Sequence, residues 1–268
     1  MTWEPRYPQE TEGALFRTSS STIETYARCG LRHEMDQAIK HRRTNVAMAI
    51  GTAAHEGARK DNQHKKDHGR GLAAPDIVDA AVAEYEIETA EAEVLQSRLE
   101  IATGKDDTAD AAYAYARQIS PHVEQVLFAE FPVIARLGDV ELAGTPDYIL
   151  RDLGVGDLKT GQPWTQDRTD RSRSLSAYGL LHHAQTGLYP RRVWIDSLYR
   201  SRRGWAWTRL WSYRTEAHYS DFWFVLNAAR RGIEAGVFMA APEGAWWCSA
   251  KWCPHWLACP AVAGRRTT

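Results

Sequence analysis

Stretches of period two alternate along the chain with stretches of helical period, and the sharpest strand pattern lies near the middle. From Val140 through Leu142, Tyr148, Leu150 and Val155 the apolar and β-branched positions read as short buried strands. Asp152-Leu-Gly154 is a turn signal that folds the segment carrying Asp147 back beside the one carrying Asp157 and Lys159. Side chains alternate along a strand, so Asp157 and Lys159 face one side and Leu158 the other. Upstream, Phe131 to Leu137, the Gly138-Asp139 turn and Val140 onward predict a hairpin leading into this stretch. Downstream, Arg191 to Tyr199 and Trp205 to Tyr213 alternate as two further strands.

The rest of the pattern is mostly helical. Residues 1–17 read as an irregular lead-in, after which Ser21-Thr-Ile-Glu24 has the spacing of a capping box and opens a helix running to Cys29. Asn45 to about Lys66 predicts an alanine-rich helix, and Asp61 to Gly71 a polar, charged loop. Pro75 to Leu99 and Asp106 to Phe128 predict two more helices. The first is acidic but keeps a partial apolar stripe at Val82, Tyr85, Ile87 and Val94. Thr169 to Thr186 and the amphipathic Thr215 to Gly236 complete the helices, with no internal repeat and no low-complexity segment.

A length of 268 residues suits one large domain with an insertion, or two small ones. The 33 basic and 34 acidic residues leave a formal charge of −1, so any nucleic-acid binding must come from local patches. No apolar run approaches the ~20 residues of a membrane helix, and the N-terminus lacks a signal peptide's apolar core. The expectation is a cytoplasmic, reducing compartment, where four cysteines are metal ligands or free thiols rather than disulfides.

The candidate chemistry begins with Asp147 and Asp157, two carboxylates brought to one point with the Lys159 ammonium beside them. Oxygen ligands of this kind suit Mg²⁺ or Mn²⁺. A bare Asp-x-Lys is more simply a solvated surface pair, but the Gly144-Thr-Pro before Asp147 and the Thr160-Gly161 after Lys159 sharpen the signal. His55, read alone, is a surface or satisfied core histidine. The His55-Glu56 pair is not a zinc-protease motif, because Arg59 stands where the second histidine belongs. Arginines cluster at 168, 171 and 173, at 191 and 192, at 200, 202 and 203, and at 230 and 231, interleaved with Trp164, Trp194, Trp205 and Trp207. That is the composition of a single-strand groove, and equally of solvated turns between core strands. Arg168, Arg171 and Arg173 follow the Asp157–Lys159 strand most closely and are the best candidates for holding DNA. The cysteines fall at the two ends, Cys29 and then Cys248, Cys253 and Cys259, with none between. Four thiolates suit an iron–sulfur cluster or zinc, with four free thiols as the third reading.

Gly144…Asp147 followed by Asp157-Leu-Lys159-Thr-Gly161 resembles the core of the PD-(D/E)xK nuclease superfamily, in its RecB-like and Cas4-like exonuclease branch. Gly51-Thr-Ala-Ala-His55 matches that family's G-x-x-x-H helix, and Ser174-Leu-Ser-Ala-Tyr178 its Q-x-x-x-Y, with Ser174 in the glutamine's place. The serine-rich start, Tyr26 and Cys29 resemble the beginning of Cas4-like and AddB-like nucleases.

The resemblance implies an α/β fold with a restriction-endonuclease-like core, a central mixed β-sheet flanked by helices. It would form a single domain over residues 1–268, with a helical insertion at about 60–130 as a wall over the cleft. It implies a metal-dependent DNA exonuclease in which His55, Asp147, Asp157 and the Leu158 carbonyl hold Mg²⁺ or Mn²⁺. Lys159 would position the attacking water or stabilise developing charge, and Tyr178 would complete the catalytic set. It also implies a [4Fe–4S] cluster on Cys29, Cys248, Cys253 and Cys259 that staples the tail to the N-terminal helix. Four residues separate Cys248 from Cys253 where the family usually has two. The implied partners are DNA with a free end and a helicase, recombinase or other repair protein, in repair, phage recombination or CRISPR adaptation. The rival reading is a non-catalytic DNA-binding subunit, which Ser174 favours and the intact acids oppose.

Overall fold

The computed structural model describes residues 15–38, 43–94, 96–129, 132–151, 153–250 and 252–263. Most of the lead-in, Phe131 of the hairpin and Asp152 of the turn lie outside the described residues. In chain order the elements are β1 (Phe16–Ser19), α1 (Ser20–Arg28), α2 (Gly30–Ala38), β2 (Arg43–Thr44), α3 (Val46–His68), α4 (Ala74–Glu91), β3 (Glu93–Val94) and α5 (Arg98–Ala114). There follow β4 (Val126–Ala129), β5 (Val133–Leu137), β6 (Val140–Gly144), β7 (Tyr148–Leu150) and β8 (Gly154–Gly161). The last third holds α6 (Gln166–Asp170), α7 (Arg173–Thr186), β9 (Arg192–Ser201), β10 (Gly204–Ser212), α8 (Glu216–Glu234) and the short α9 (Pro260–Ala263).

Five strands form the central sheet in the order β10-β9-β8-β7-β4. β8 and β9 run parallel and the other neighbours antiparallel, so the sheet is mixed as the sequence predicts. Alternation along its strands feeds two cores. Tyr148, Leu150, Leu158, Trp194 and Leu198 pack against α3, α4 and α5. Ile149, Val155, Val193 and Ile195 pack against Ile23 of α1, Leu175 and Leu181 of α7, and Phe222 and Leu226 of α8. The result is an α/β sandwich with helices on both faces.

Several boundaries differ from those the pattern predicts. Val126–Ala129, which the pattern joins to the end of a helix, is the edge strand β4. The predicted hairpin is real, with β5 antiparallel to β6, but it belongs to a separate three-stranded sheet closed by β1 parallel to β6. The first helix is capped by Ser19, whose side chain accepts from Thr22 N, and not by Ser21. A capping box at Ser97 and Glu100 opens α5, so α4 and α5 divide at residues 92–97 and not at 100–105. The predicted helix over 169–186 is broken in two between α6 and α7.

The charged loop expected at 61–71 is instead the last two turns of α3 and the connection after it. Asp61 is fully buried there, paired with Lys65 at 2.7 Å and accepting hydrogen bonds from Leu72 N, Ser120 Oγ and Tyr115 OH. A charge that looks like loop solvation in the sequence is thus a buried tie between α3 and the segment after α5. The helices expected as an insertion build a whole core layer, with Ala81, Tyr85, Ala111 and Tyr115 all buried.

Candidate active site

The two acids meet where β7 begins and β8 runs alongside it. Val155 faces the α7 layer and Leu158 the α3 layer, so alternation turns Asp157 and Lys159 toward α7. Lys159 Nζ lies 2.5 Å from Asp157 Oδ2. Asp147, in the bend before β7, accepts a hydrogen bond from Leu158 N through one carboxylate oxygen. Its other oxygen lies 2.8 Å from His55 Nδ1 on α3. Tyr178, from α7, stands beside Asp157 on the face away from α3, where burial and the carboxylate raise its pKa. His55, Asp147, Asp157, Lys159 and Tyr178 are therefore neighbours, drawn from both layers and the sheet between them. Ser174, one turn before Tyr178, hydrogen-bonds Ser172 at the start of α7.

The electrostatics separate the two carboxylates. Burial opposes charge on Asp147, but His55, Lys159 and the Leu158 N–H outweigh it and hold the carboxyl below its usual range. Burial pushes Asp157 above that range, with Asp147 adding to the push and Lys159 resisting it. Lys159 would lose charge on burial alone, yet Asp157 and Asp147 hold its ammonium above the ordinary lysine value. Tyr178 is driven far up by burial and by both acids, so its hydroxyl stays protonated beside Asp157. Two buried carboxylates and an imidazole, with no sulfur, are a donor set that fits a hard divalent cation. Among the described residues, no three His, Cys, Asp or Glu side chains converge as a ligand set in this side-chain arrangement.

The arginines predicted to hold DNA divide. Arg171 pairs with Asp167 at 2.9 Å and Arg173 with Asp221 at 3.1 Å. Arg168 lies over the Trp164 ring, its guanidinium carbon 3.6 Å from the centroid. Burial first, and then the nearby Arg28, lower the pKa of Arg168, while Glu24 raises it. Glu24 also acts on Lys159 and Tyr178, so this α1 face borders the acids. Of the interleaved tryptophans, Trp194 is fully buried, and Trp207 donates through its indole N–H to the buried Asp196 at 2.7 Å. Asp196 also accepts from Trp194 Nε1, from Tyr148 OH, and from Arg209 Nε and Nη2. These two rings and Arg209 hold the sheet together, a role their alternation with arginine conceals in the sequence.

The sequence profile of the PD-(D/E)XK nuclease superfamily matches residues 17–260 of the chain. The chain belongs to this superfamily. No curated protein matches it in sequence. Among solved structures, a candidate exonuclease from Eubacterium rectale is similar over 86% of each chain, at 12% identity and a TM-score of 0.54. The alkaline exonuclease LHK-Exo from Laribacter hongkongensis, in its complex with dAMP, is matched at 16% identity over 69% of this chain and 92% of its own, with a TM-score of 0.30. The fold is a nuclease fold, and among the described residues no helix is long and apolar enough to cross a membrane.

In this superfamily member the cysteine-bearing tail is docked on the N-terminal helices. His255 Nε2 lies 2.6 Å from Asp36 Oδ1 of α2, Tyr26 OH donates to Val237 O at 2.6 Å, and Leu31 N donates to Met239 O. Arg32 N donates to Cys29 Sγ, and the Arg32 charge reaches Cys253, whose thiol is raised by burial and by Cys248 and Cys259. The four cysteines thus occupy one end of the molecule, and none of the four is joined in a disulfide.

The sequence left other cleft residues unassigned. A cavity of about 430 Å³ beside the acids is lined by Thr52, Glu56, Glu84 and Thr145 together with His55 and Asp147. Glu84 was legible only as part of an acidic helix. What places it here is the packing of α4 on α3, which no local pattern encodes.

Proposed function

We propose that the chain is a metal-dependent deoxyribonuclease of the RecB-like and Cas4-like exonuclease branch, acting as one domain over residues 1–268. The observation that carries this is the meeting of His55, Asp147, Asp157 and Lys159 from α3, the β7 bend and β8. His55, Asp147, Asp157 and the Leu158 carbonyl are the groups that would hold Mg²⁺ or Mn²⁺. Bound there, such an ion supplies a polarised phosphate and a water of lowered pKa.

The chain's own residues do the rest. Tyr178, its hydroxyl protonated beside Asp157, can donate to that carboxylate, and Leu158 N donates to Asp147 and orients it. Lys159, kept charged by both acids, can place the attacking water or offset charge growing on the phosphate. Arg168, held against Trp164, would take up a neighbouring DNA phosphate. Arg171 and Arg173 would contribute less, because each already faces a carboxylate.

The cysteines support a [4Fe–4S] cluster on Cys29, Cys248, Cys253 and Cys259, with structural Zn²⁺ as the alternative occupant. The substrate would be DNA with a free end, and a helicase or recombinase the natural supplier of such ends. The Ser174–Ser172 contact supports the rival of a non-catalytic DNA-binding platform, since Ser174 is spent on the helix cap. The deciding experiment is digestion of end-labelled single- and double-stranded DNA with and without Mn²⁺. Metal-dependent shortening from an end supports the exonuclease; binding without digestion under every metal condition supports the platform.

A further inference from the structure

Past the last turn of α3 lies a cavity of about 640 Å³ whose walls include Lys65, Lys66, Arg70, Arg151 and a single acid, Glu124. A second cavity, of about 410 Å³, shares Glu124 and Gln125 with it and adds His122. The cations differ in what accounts for them. Lys65 is spent, since its Nζ pairs with the buried Asp61 at 2.7 Å and donates to Ser120 O at 2.7 Å. Lys66 stands in the last turn of α3, where the helix dipole favours any cation. Arg151 follows β7 and faces no helix end, and Arg70 stands past the Gly69 cap. Both are exposed, and among the described residues no carboxylate pairs with either. Elsewhere Arg171, Arg173 and Arg200 each face an aspartate.

The walls are held in place. Arg151 N donates to Gln125 O at 3.0 Å, with Gln125 in a left-handed backbone of φ 51°. The exposed imidazole of His122 is stacked on Trp207, ring centroids 5.1 Å apart, which fixes it as a flat platform beside the cations. A chain of formal charge −1 has no general field to draw DNA, whereas a concave surface lined mostly by one sign concentrates its field. Cations that take phosphates and rings that take bases are together the equipment for a nucleic-acid strand. Lys66 is eleven residues beyond His55, which at 1.5 Å per residue is about 16 Å along α3. A strand of a few nucleotides covers that distance. Resting on the deoxyribonuclease reading above, we propose that these two cavities hold the DNA strand on its way to the acids, with Arg70 and Arg151 on its phosphates and His122 under a base.

The test is binding of the full chain to labelled single-stranded and duplex oligonucleotides, with divalent metal chelated, over a range of salt. The side chains of Arg70 and Arg151 are exposed, so removing both leaves the fold intact. Arg70→Ala with Arg151→Ala should lower the slope of log affinity against log salt by about 1.4 on single strands and about 1.8 on duplex, the loss of two phosphate contacts. Glu124→Gln removes the opposing charge and should tighten binding by up to about fivefold. His122→Ala should weaken single strands more than duplex, because only unpaired bases are free to stack. Lys105→Ala with Arg200→Ala removes the same charge from cations that already face Glu86 and Asp107, and should keep the wild-type slope. A wild-type slope in the Arg70 and Arg151 double variant, or an equal drop in the Lys105 and Arg200 control, would overturn the inference and leave the nuclease reading standing. Polyglutamate that competes as well as an oligonucleotide of equal charge would assign the surface to an acidic protein and overturn it too. Wild-type protein that binds neither form of DNA would overturn the deoxyribonuclease reading and this inference with it.

Discussion

A Cβ placed on Gly51 of α3 would stand 3.0 Å from Thr160 Oγ1 on β8, one helical turn before His55. Helix and strand touch through this glycine, and the contact fixes how deeply the histidine reaches toward Asp147. Gly51→Ala should be nearly neutral, because the helix propensity it gains, about 1 kcal/mol, offsets the crowding. Gly51→Val gains little propensity and adds two methyl groups at a full interface. It should cost about 1–3 kcal/mol and weaken Mn²⁺ binding. Chemical denaturation and metal titration check both, and adding Thr160→Ala should restore part of the loss in the valine variant. Unchanged stability in Gly51→Val would show that the contact is not tight.

Asp157→Asn should abolish DNA digestion at any Mn²⁺ concentration, since it removes a charged oxygen from the proposed metal site. Lys159→Ala should retain metal binding and lose about 10²–10³ in rate, the scale of a removed electrostatic group in an active site. Single-turnover digestion alongside Mn²⁺ titration separates the two effects. If Asp157→Asn digests like wild type, the site is misassigned.

Arg168→Ala should weaken DNA binding and lower the slope of log affinity against log salt by about one, because one phosphate is no longer neutralised. Arg173→Ala, whose guanidinium faces Asp221, should leave the slope nearer the wild-type value. Equal slopes in wild type and Arg168→Ala would return Arg168 to the ordinary surface.

Asp196→Asn should be the most destabilising conservative change in the sheet. Arg209 is paired with the buried Asp196 through two nitrogens at 2.8 and 2.9 Å, and losing that charge strands a mostly buried guanidinium. The cost of breaking such a pair is about 3–5 kcal/mol, readable by urea denaturation. A change below about 1 kcal/mol, the scale of an ordinary hydrogen bond, would mean that the two indoles and Tyr148 carry the network without the charge.

Anaerobically purified protein should be brown, with iron and sulfide in stoichiometric amounts, and Cys29→Ala should lose the colour. Its melting temperature should fall without collapse, because His255–Asp36 and Tyr26–Val237 still join tail to N-terminal helices. A colourless protein with one zinc would keep the staple and replace the cluster. A protein with neither metal and an unaffected Cys29→Ala variant would remove both.

The central strands were legible because their alternation is local: Asp157 and Lys159 share a face for the same reason that Val155 and Leu158 do not. The helix caps were less so. Several serines stand between residues 19 and 22, and which one caps α1 depends on where β1 docks against β6. Asp61 was misread because a buried charge and a solvated one look alike until Lys65, Tyr115 and Ser120 are brought to it. The tryptophans were ambiguous for the same reason, since an indole beside an arginine is a base platform or a donor to Asp196 depending on which way its strand faces. Glu84 was out of reach, as its place in the cleft comes from one helix lying on another.

The layered arrangement has a mechanical corollary. His55 hangs from one helical layer, Tyr178 from the other, and the acids from the sheet between. An ion gripped at their junction would work as a clasp across the sandwich, so its binding energy would count toward keeping the layers seated. The melting temperature should then climb with Mn²⁺ concentration. A cavity opened far away, under Tyr115 or under Phe222, should loosen the clasp before it unfolds the chain.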